Sequence, residues 1–540
     1  MTSVLSIDAR SGQPRDLGVT DSTPPQVAAL TAAAVSAVPW LRAQGRTGRA
    51  ALLDRIAAEL SSSADSIVAA ADRETALGVA RLTGELTRTA FQLRFLGGVV
   101  RDGGYLDIII DTATPDTPMG PRPDLRRMLS PLGPVAVFGA SNFPLAFGVA
   151  GGDTASALAV GCPVVAKAHP AHPETSLLIA EAISRAVSAQ GAPAGVFGLA
   201  FGYEAGIALV QDPNITAVGF TGSLSGGRAL AGIASARPRP IPFYGELGSL
   251  NPLVVTSAAA DERAAEIGTG IAGSVLLGQG QFCTKPGLIL VPATASGAAV
   301  TTALADAVRR SAPGHLLTSQ IAAAFTTSTC AVAQDPAARV LARADGDAGP
   351  GLTGALVVAV PAARLLDGDA DGLLAEHFGP FAVVAQYADD GELEAVLAAV
   401  EPALTGTVLA AADVPDPALA TVVELMSRRS GRVIVNGFPT GVAVSWAMHH
   451  GGPYPAATTS ETSVGATAVR RWLRPVTYQN TPQDALPAEL RDAAVPGLPR
   501  RIDGTLTIGQ PVGLAGHVIG GSEHVAAGRL EPDPGRQQPG

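Results

Sequence analysis

Pro134-Val135-Ala136-Val137-Phe138-Gly139-Ala140-Ser141-Asn142-Phe143-Pro144 decides the fold. Four apolar residues run straight into a turn of small residues, and a helical pattern follows over 145–160. The same unit then recurs. Val164-Val165-Ala166 leads to a helix at 174–189, Val196-Phe197-Gly198-Leu199 to a short helix near 204–210, and the run from Ile215 to Phe220 to a helix at 224–235. Short apolar strands alternating with helices predict a parallel sheet in a doubly wound α/β domain. Ligands of such sheets bind beyond the carboxyl ends of the strands. The residues that follow each apolar run are therefore the first candidates for a site.

Outward from this core the chain reads as follows. Residues 1–24 form a loose lead-in, and two Ala-rich helical patterns cover 25–45 and 47–75, with a third reaching about 100. Leu106-Asp107-Ile108-Ile109-Ile110 is strand-like. A turn-rich stretch over 115–123 and the basic Leu125-Arg126-Arg127-Met128 complete what resembles a projecting hairpin arm. A second α/β stretch covers 251–430, with helical patterns at 258–277, 295–311 and 416–429 and strand patterns at 287–292, 355–360, 381–386 and 406–411. A strand at 431–436 leads into a Gly/Pro/His-rich loop, and 470–480 is a basic, aromatic strand-like segment. Residues 481–540 are rich in Pro and Gly, and the last 19 read as disordered.

At 540 residues the chain predicts two or three domains. A net charge of −10 argues against a nucleic-acid or anionic-membrane surface. Three cysteines, Cys162, Cys283 and Cys330, give no disulfide framework and fit a reducing cytoplasm. The N-terminus has no basic start followed by an apolar run, so no signal peptide is expected, and no apolar run is long enough to predict a transmembrane helix.

Each turn offers chemistry next to a bland alternative. Asn142 is either a local cap or a fixed amide donor for an oxygen that gains negative charge. Lys167, at the end of its strand, is surface, or it reaches ribose hydroxyls or a phosphate. Gly219-Phe220-Thr221-Gly222-Ser223 opens a helix whose N–H groups could face a pyrophosphate, although the G-x-G-x-x-G spacing is absent. Glu246, between apolar neighbours, is expected to have a raised pKa and to act as a base near neutral pH. In Gly280-Gln281-Phe282-Cys283 a lone cysteine sits at the mouth of a loop, because glycines and Pro286 disfavour an element there. Glu376 and Phe378, in Glu376-His377-Phe378-Gly379-Pro380, are a solvated charge and a core ring, or ligand contacts. His169 and His172 lie among prolines, and no metal site is expected from them.

Taken together and in order, these motifs resemble the aldehyde dehydrogenase superfamily over about 20–480. That resemblance implies two doubly wound α/β domains plus a β-arm for oligomerisation. The dinucleotide-binding domain would span 1–104 and 131–245, the catalytic thiol domain 246–430, and the arm 105–130 with 465–480, followed by a C-terminal extension at 481–540. It implies Cys283 as nucleophile, Asn142 with the Cys283 N–H as oxyanion donors, and Glu246 as the base that activates water against a thioester. It also implies Lys167 and Glu376 on the two riboses, Phe378 beside the nicotinamide ribose, and Ser223 with Gly222 at the pyrophosphate. The finer resemblance is to a branch that oxidises α-ketoglutaric semialdehyde (2,5-dioxovalerate) to 2-oxoglutarate. It rests on the stretches 146–158, His449-His450-Gly451-Gly452-Pro453-Tyr454-Pro455-Ala456, and Arg474-Pro475-Val476-Thr477-Tyr478-Gln479-Asn480. The branch also holds enzymes for long-chain aldehydes, which is the alternative reading, and an inactive homologue with a binding role is a remote third. A cytoplasmic homodimer or homotetramer acting on a small aldehyde is implied.

Two departures from the family pattern matter. Pro170 stands where many members carry an acid that disfavours a 2′-phosphate, so NADP is expected ahead of NAD. Gly151 stands where many members carry a lysine. If 283–285 is extended, Lys285 shares a face with Cys283 and lowers its pKa; otherwise it points to solvent. Arg432, Arg470 and Arg471 are the candidates for a distal carboxylate.

Overall fold

The computed structural model describes residues 2–344 and 351–512; the predicted disorder of the last 19 residues lies outside them. The chain opens with a hairpin, β1 (Ser3–Ile7) and β2 (Pro14–Thr20), followed by helices α1 (Pro24–Ala43), α2 (Gly45–Ser62), α3 (Ala64–Thr75) and α4 (Val79–Asp102). The hairpin corrects the expected loose lead-in. Val4 and Ser6 face inward on a strand whose alternate residues are exposed, and Val4 packs with Ala168 and Phe201. Those partners lie far along the chain, so nothing local announces the strand. Next come β3 (Ile109–Asp111) and β4 (Leu125–Pro131).

The first sheet is built by β5 (Val135–Phe138), α5 (Gly152–Val160), β6 (Val164–Lys167), α6 (Pro173–Ala189), β7 (Phe197–Ala200), α7 (Tyr203–Gln211), β8 (Ala217–Thr221), α8 (Leu224–Ala236) and β9 (Phe243–Glu246). All five strands are parallel, in the order β7-β6-β5-β8-β9. The order reverses at β5, the switch point where such sheets open a crevice at their carboxyl edge. The helix expected over 145–160 begins only at Gly152. Before it the backbone folds back so tightly that a Cβ on Gly151 would stand 2.7 Å from Ala146 O. That crowding also explains the missing lysine at this position.

The second sheet follows from β10 (Pro252–Val255), α9 (Ser257–Leu276), β11 (Leu288–Pro292), α10 (Ala295–Arg309), β12 (Gly314–His315), α11 (Ser319–Ala333), β13 (Arg339–Arg343), β14 (Leu352–Thr353), β15 (Leu356–Pro361), α12 (Asp371–Leu374), β16 (Phe381–Tyr387), α13 (Asp390–Ala399), β17 (Ala403–Leu409), α14 (Leu419–Ser427) and β18 (Ser430–Val435). Seven strands run in the order β13-β15-β16-β11-β10-β17-β18, parallel except for β13. Both faces are covered by apolar clusters, one around Leu290 and Val383 and the other around Ile289 and Val384. Burial on both faces explains why these strands read as continuous apolar runs.

By contact density the chain divides into 1–105 with 129–474, which holds both of these sheets, and 106–128 with 475–540. The second unit carries a five-stranded sheet ordered β19-β4-β3-β20-β21, where β19 is Leu473–Gln479, β20 Pro499–Ile502 and β21 Thr505–Ile508. Residues 499–508 of the extension therefore add two strands to the arm. Buried Arg126 is held there by Asp124 and by Asp492 at 2.7 Å.

Within the first unit Trp472 is fully buried, donates from Nε1 to Ser156 Oγ at 2.7 Å, and crowds Gly219 on β8. Trp472→Ala is expected to lower the unfolding free energy by about 3–5 kcal/mol, measured by urea denaturation. A midpoint equal to that of the wild type would refute this account of the packing.

Candidate active site

Five of the expected residues stand at carboxyl ends of the first sheet: Asn142 after β5, Lys167 closing β6, Gly222 and Ser223 after β8, and Glu246 closing β9. The parallel topology places them along one edge. Cys283 lies in a turn between α9 and β11. Gly280, at φ +64°, takes the chain past Gly379, where a Cβ would meet the carbonyl oxygen at 2.1 Å. The loop is then clamped by Asn251, whose buried amide donates to Cys283 O at 2.7 Å and to Lys285 O at 3.0 Å. The Asn251 side-chain oxygen in turn accepts from Ser249 Oγ and Thr405 N.

The sulfur and the carboxylate meet through a third group. His450 Nε2 lies 3.5 Å from Cys283 Sγ and 2.8 Å from Glu246 Oε1, the latter out of line for a hydrogen bond. Ser463 Oγ donates to Glu246 Oε2 at 2.6 Å. Ser463 N donates to His450 O, and His450 N to Thr462 Oγ1, so both residues are fixed on one irregular segment. Burial pushes the Glu246 carboxyl up, but His450, Ser463 and Arg471 outweigh it and leave the carboxyl below its ordinary value. This reverses the expectation of a raised Glu246. Its apolar sequence neighbours gave no sign of partners about 200 residues downstream. Burial and the nearby Glu246 and Glu376 hold the Cys283 thiol well above its usual range, against the opposing pull of Arg432.

Asn142 is buried, and its Nδ2 donates to Gln281 O at 2.9 Å, two residues before the cysteine. Arg81 on α4 donates to Asn142 O at 2.7 Å while lying over the rings of Phe143 and Phe282. The Cys283 backbone N–H makes no hydrogen bond among the described residues. Cys283 is partly exposed and lines a cavity of about 250 Å³ with Arg88, Phe143, Phe147, Phe282 and the segment Thr440 to Ala443. Cys162, by contrast, is sealed in the core with its thiol pushed up to about 11, and Cys330 is exposed on α11.

Both readings of Lys285 fail. Residues 283 and 284 form a turn, and Lys285 is buried with Nζ donating to Phe381 O at 2.7 Å and His377 O at 3.1 Å. Burial lowers its pKa, and the Glu376 charge opposes that shift. Lys285 is not among the groups that bear on the cysteine; Arg432 and Arg88 are the cations that do. Arg471 is likewise committed, being ion-paired with Asp153 and donating to Tyr244 O.

The candidate dinucleotide contacts form a looser set. Lys167 is buried, burial lowers its pKa to about 8 against the attraction of Asp21, and its ammonium lies 5.1 Å from the Tyr203 ring centre. Ser223 caps α8 by accepting from Gly226 N at 3.2 Å, and its hydroxyl also lies 3.4 Å from Ser225 Oγ. The Glu376 carboxylate stands against Gly248, 2.5 Å from where a Cβ would be, and burial raises its pKa to about 7. Phe378 is partly buried beside it. A buried lysine with no ion pair among the described residues, a helix N-terminus and a carboxylate fit a group carrying ribose hydroxyls and phosphates. His169 and His172 stack 5.4 Å apart, with His172 Nε2 near Ala140 O, and burial keeps both below their usual pKa.

Sequence reasoning missed His450, Ser463, Asn251, Arg81 and Arg88 as members of the site. Only His450 left a trace, as a histidine in a glycine-rich loop; the others become legible once the strands are ordered.

A nucleophile and a carboxylate brought together across a doubly wound dinucleotide-type sheet define an aldehyde-oxidising enzyme, and the chain belongs to the aldehyde dehydrogenase family, whose model matches residues 17–463. Members of that family are NAD(P)-dependent aldehyde oxidoreductases. Among curated proteins, it is 46% identical to alpha-ketoglutaric semialdehyde dehydrogenase 2 of Azospirillum brasilense, over 86% of this chain and 88% of that protein. It is 39% identical to alpha-ketoglutaric semialdehyde dehydrogenase of Acinetobacter baylyi, over 93% and 96%. The fold matches an NAD-dependent aldehyde dehydrogenase of Sinorhizobium meliloti at TM-score 0.74 and 22% identity, over 90% of this chain and 93% of that one. It also matches an NADP-dependent Escherichia coli enzyme at 0.75 and 21%, over 88% and 94%.

The geometry predicts the reactivity of the resting thiol. Alkylation of Cys283 by iodoacetamide should rise with pH through a midpoint above that of a free thiol, and Glu246→Gln should lower that midpoint, because it removes a nearby negative charge. An unchanged profile in the variant would show that the carboxylate does not bear on the sulfur.

Proposed function

We propose that this chain oxidises 2,5-dioxovalerate to 2-oxoglutarate, with NADP as the preferred cofactor and NAD as the second. One observation carries the chemistry: Cys283 Sγ, His450 Nε2 and Glu246 Oε1 converge within 4.8 Å at a cavity. In this reading the Cys283 thiol gives up its proton toward the His450–Glu246 pair, and the thiolate adds to the aldehyde carbon. The Asn142 amide and the Cys283 N–H receive the developing oxyanion. NAD(P)⁺, when bound, supplies the hydride acceptor for that carbon; the chain's own part is to keep the resulting acyl group as a thioester on Cys283. Glu246 takes a proton from water as the water attacks the thioester, the C–S bond breaks, and the acid departs. A lowered Glu246 pKa suits a group that must be ionised to act as a base. Lys167 and Glu376 are assigned to the riboses, Phe378 to the nicotinamide side, and Gly222 and Ser223 to the pyrophosphate.

The substrate assignment is supported by the two semialdehyde relatives and by the stretch containing His450. NADP is supported by Pro170, which is exposed in the turn after β6 and leaves no carboxylate at that position to repel a 2′-phosphate. Asp21 is the acid that remains near Lys167. The three phenylalanines of the cavity favour a second reading, an aliphatic aldehyde substrate. Three free cysteines suit a reducing cytoplasm, and we assign the five-stranded arm to pairing of copies; among the described residues no helix is long and apolar enough to cross a membrane. The dinucleotide role belongs to the first sheet and the thiol role to the second.

Cys283→Ala should abolish turnover. Glu246→Gln should leave a pre-steady-state burst of reduced cofactor and slow the steady state by about 10²–10⁴-fold; loss of the burst itself would move Glu246 from hydrolysis to thiol activation. Initial rates with 2,5-dioxovalerate and a long-chain aldehyde, each with NADP and NAD, test the rest. Faster turnover of the long-chain aldehyde would replace the substrate assignment, and a strong NAD preference would reverse the cofactor one.

A further inference from the structure

We infer that Arg88 is the subsite for the carboxylate at the far end of the substrate, an inference that rests on the semialdehyde reading above. Arg88 lies on α4 and is the cation in the wall of the Cys283 cavity, opposite phenylalanine rings and backbone. Its guanidinium is held in place: Nη2 donates to Val442 O at 3.1 Å, and Cζ lies 5.2 Å from the Phe147 ring centre. Nη1 is buried and has no hydrogen-bond partner among the described residues. The acid one turn earlier, Glu85, attracts it but forms no ion pair with it: Glu85 Oε1 accepts from Leu145 N and Ala146 N at 2.9 Å each, and Oε2 is buried without a hydrogen-bond partner among the described residues. Arg88 forms no ion pair within 4.0 Å among the described residues, although the charges of Glu85, Cys283 and Glu246 act on it.

A charged group set in an aromatic wall with donors unused is costly unless an anion completes it. A planar fork already fixed by a carbonyl and a ring loses little further freedom on taking a carboxylate through two N–H groups. The carboxylate carbon of 2,5-dioxovalerate is four bonds from its aldehyde carbon, roughly 5 Å when extended, a span suited to reaching across a cavity of this size from Cys283. The other arginines near the site are placed differently. Arg81 is engaged with Asn142 O and two rings, Arg471 with Asp153, and Arg470 is exposed. Arg432 keeps Nε and Nη2 buried without partners but stands outside the cavity wall, which makes it the comparator.

The test compares the wild type with Arg88→Leu, Arg88→Lys and Arg432→Leu. For each, kcat and KM are measured on 2,5-dioxovalerate and on pentanal, the uncharged aldehyde of equal carbon count. The ratio of kcat/KM for the charged over the uncharged substrate should fall about 100-fold in Arg88→Leu, mainly through KM. Arg88→Lys should lose about tenfold, keeping the charge without the fork, and this variant decides the matter if the leucine variant does not fold. Arg432→Leu should keep the wild-type ratio. A ratio preserved in the Arg88 variants, or lost in Arg432→Leu instead, overturns the assignment. A wild type that prefers pentanal or is indifferent overturns the semialdehyde reading and the subsite with it, so the two failures are told apart.

Discussion

A buried carboxylate beside a half-buried thiol is the interaction on which the site depends. Two neighbouring acids cannot both ionise cheaply in a site shielded from water. Here the competition is settled in favour of Glu246, because the histidine, serine and arginine around it stabilise its charge. Cys283 is thereby left protonated at rest. His450 Nε2 stands beside both, 3.5 Å from the sulfur and 2.8 Å from the carboxylate.

The scaffold exists to hold this contact at fixed geometry. Glu246 ends a strand of the first sheet, Cys283 precedes a strand of the second, and His450 belongs to neither. Among the described residues the backbone joins these segments at the site only through an isolated antiparallel bridge, Glu246 with Ala457, and not through a continuous ladder. Side-chain hubs do so instead: Asn251 grips the carbonyls on both sides of the cysteine turn, Asn142 reaches Gln281, and Ser463 ties Glu246 to the segment of His450. Buried polar networks of this kind rigidify when fully satisfied, and a hydride-transfer site needs that precision.

On the substrate side the chemistry is divided. The cavity wall is mostly apolar and suits the carbon chain of an aldehyde, while α4 contributes a stripe of Arg81, Glu85 and Arg88 at one-turn spacing. In isolation this stripe reads as a solvated helix face with i,i+4 charge pairing. Folded, Arg81 backs Asn142, Glu85 caps the turn after it, and Arg88 enters the cavity.

The sequence by itself determined the alternation of β5 to β9 with their helices, and with it the positions of Asn142, Lys167, Ser223 and Glu246. That was possible because strand periodicity and turn chemistry are local and because a parallel sheet puts every strand's carboxyl end on one edge. The glycines and Pro286 placed Cys283 in a loop, while its role as nucleophile came from the family resemblance and not from the loop itself. Tertiary structure alone decided the rest. The hairpin at Ser3–Thr20, the burial of Lys285 on two carbonyls, the lowered Glu246 and the recruitment of His450, Asn251 and Arg88 all depend on neighbours tens to hundreds of residues away. Burial and charge proximity are properties of the folded space, and no local pattern encodes the sign of a pKa shift that a distant histidine and serine bring about.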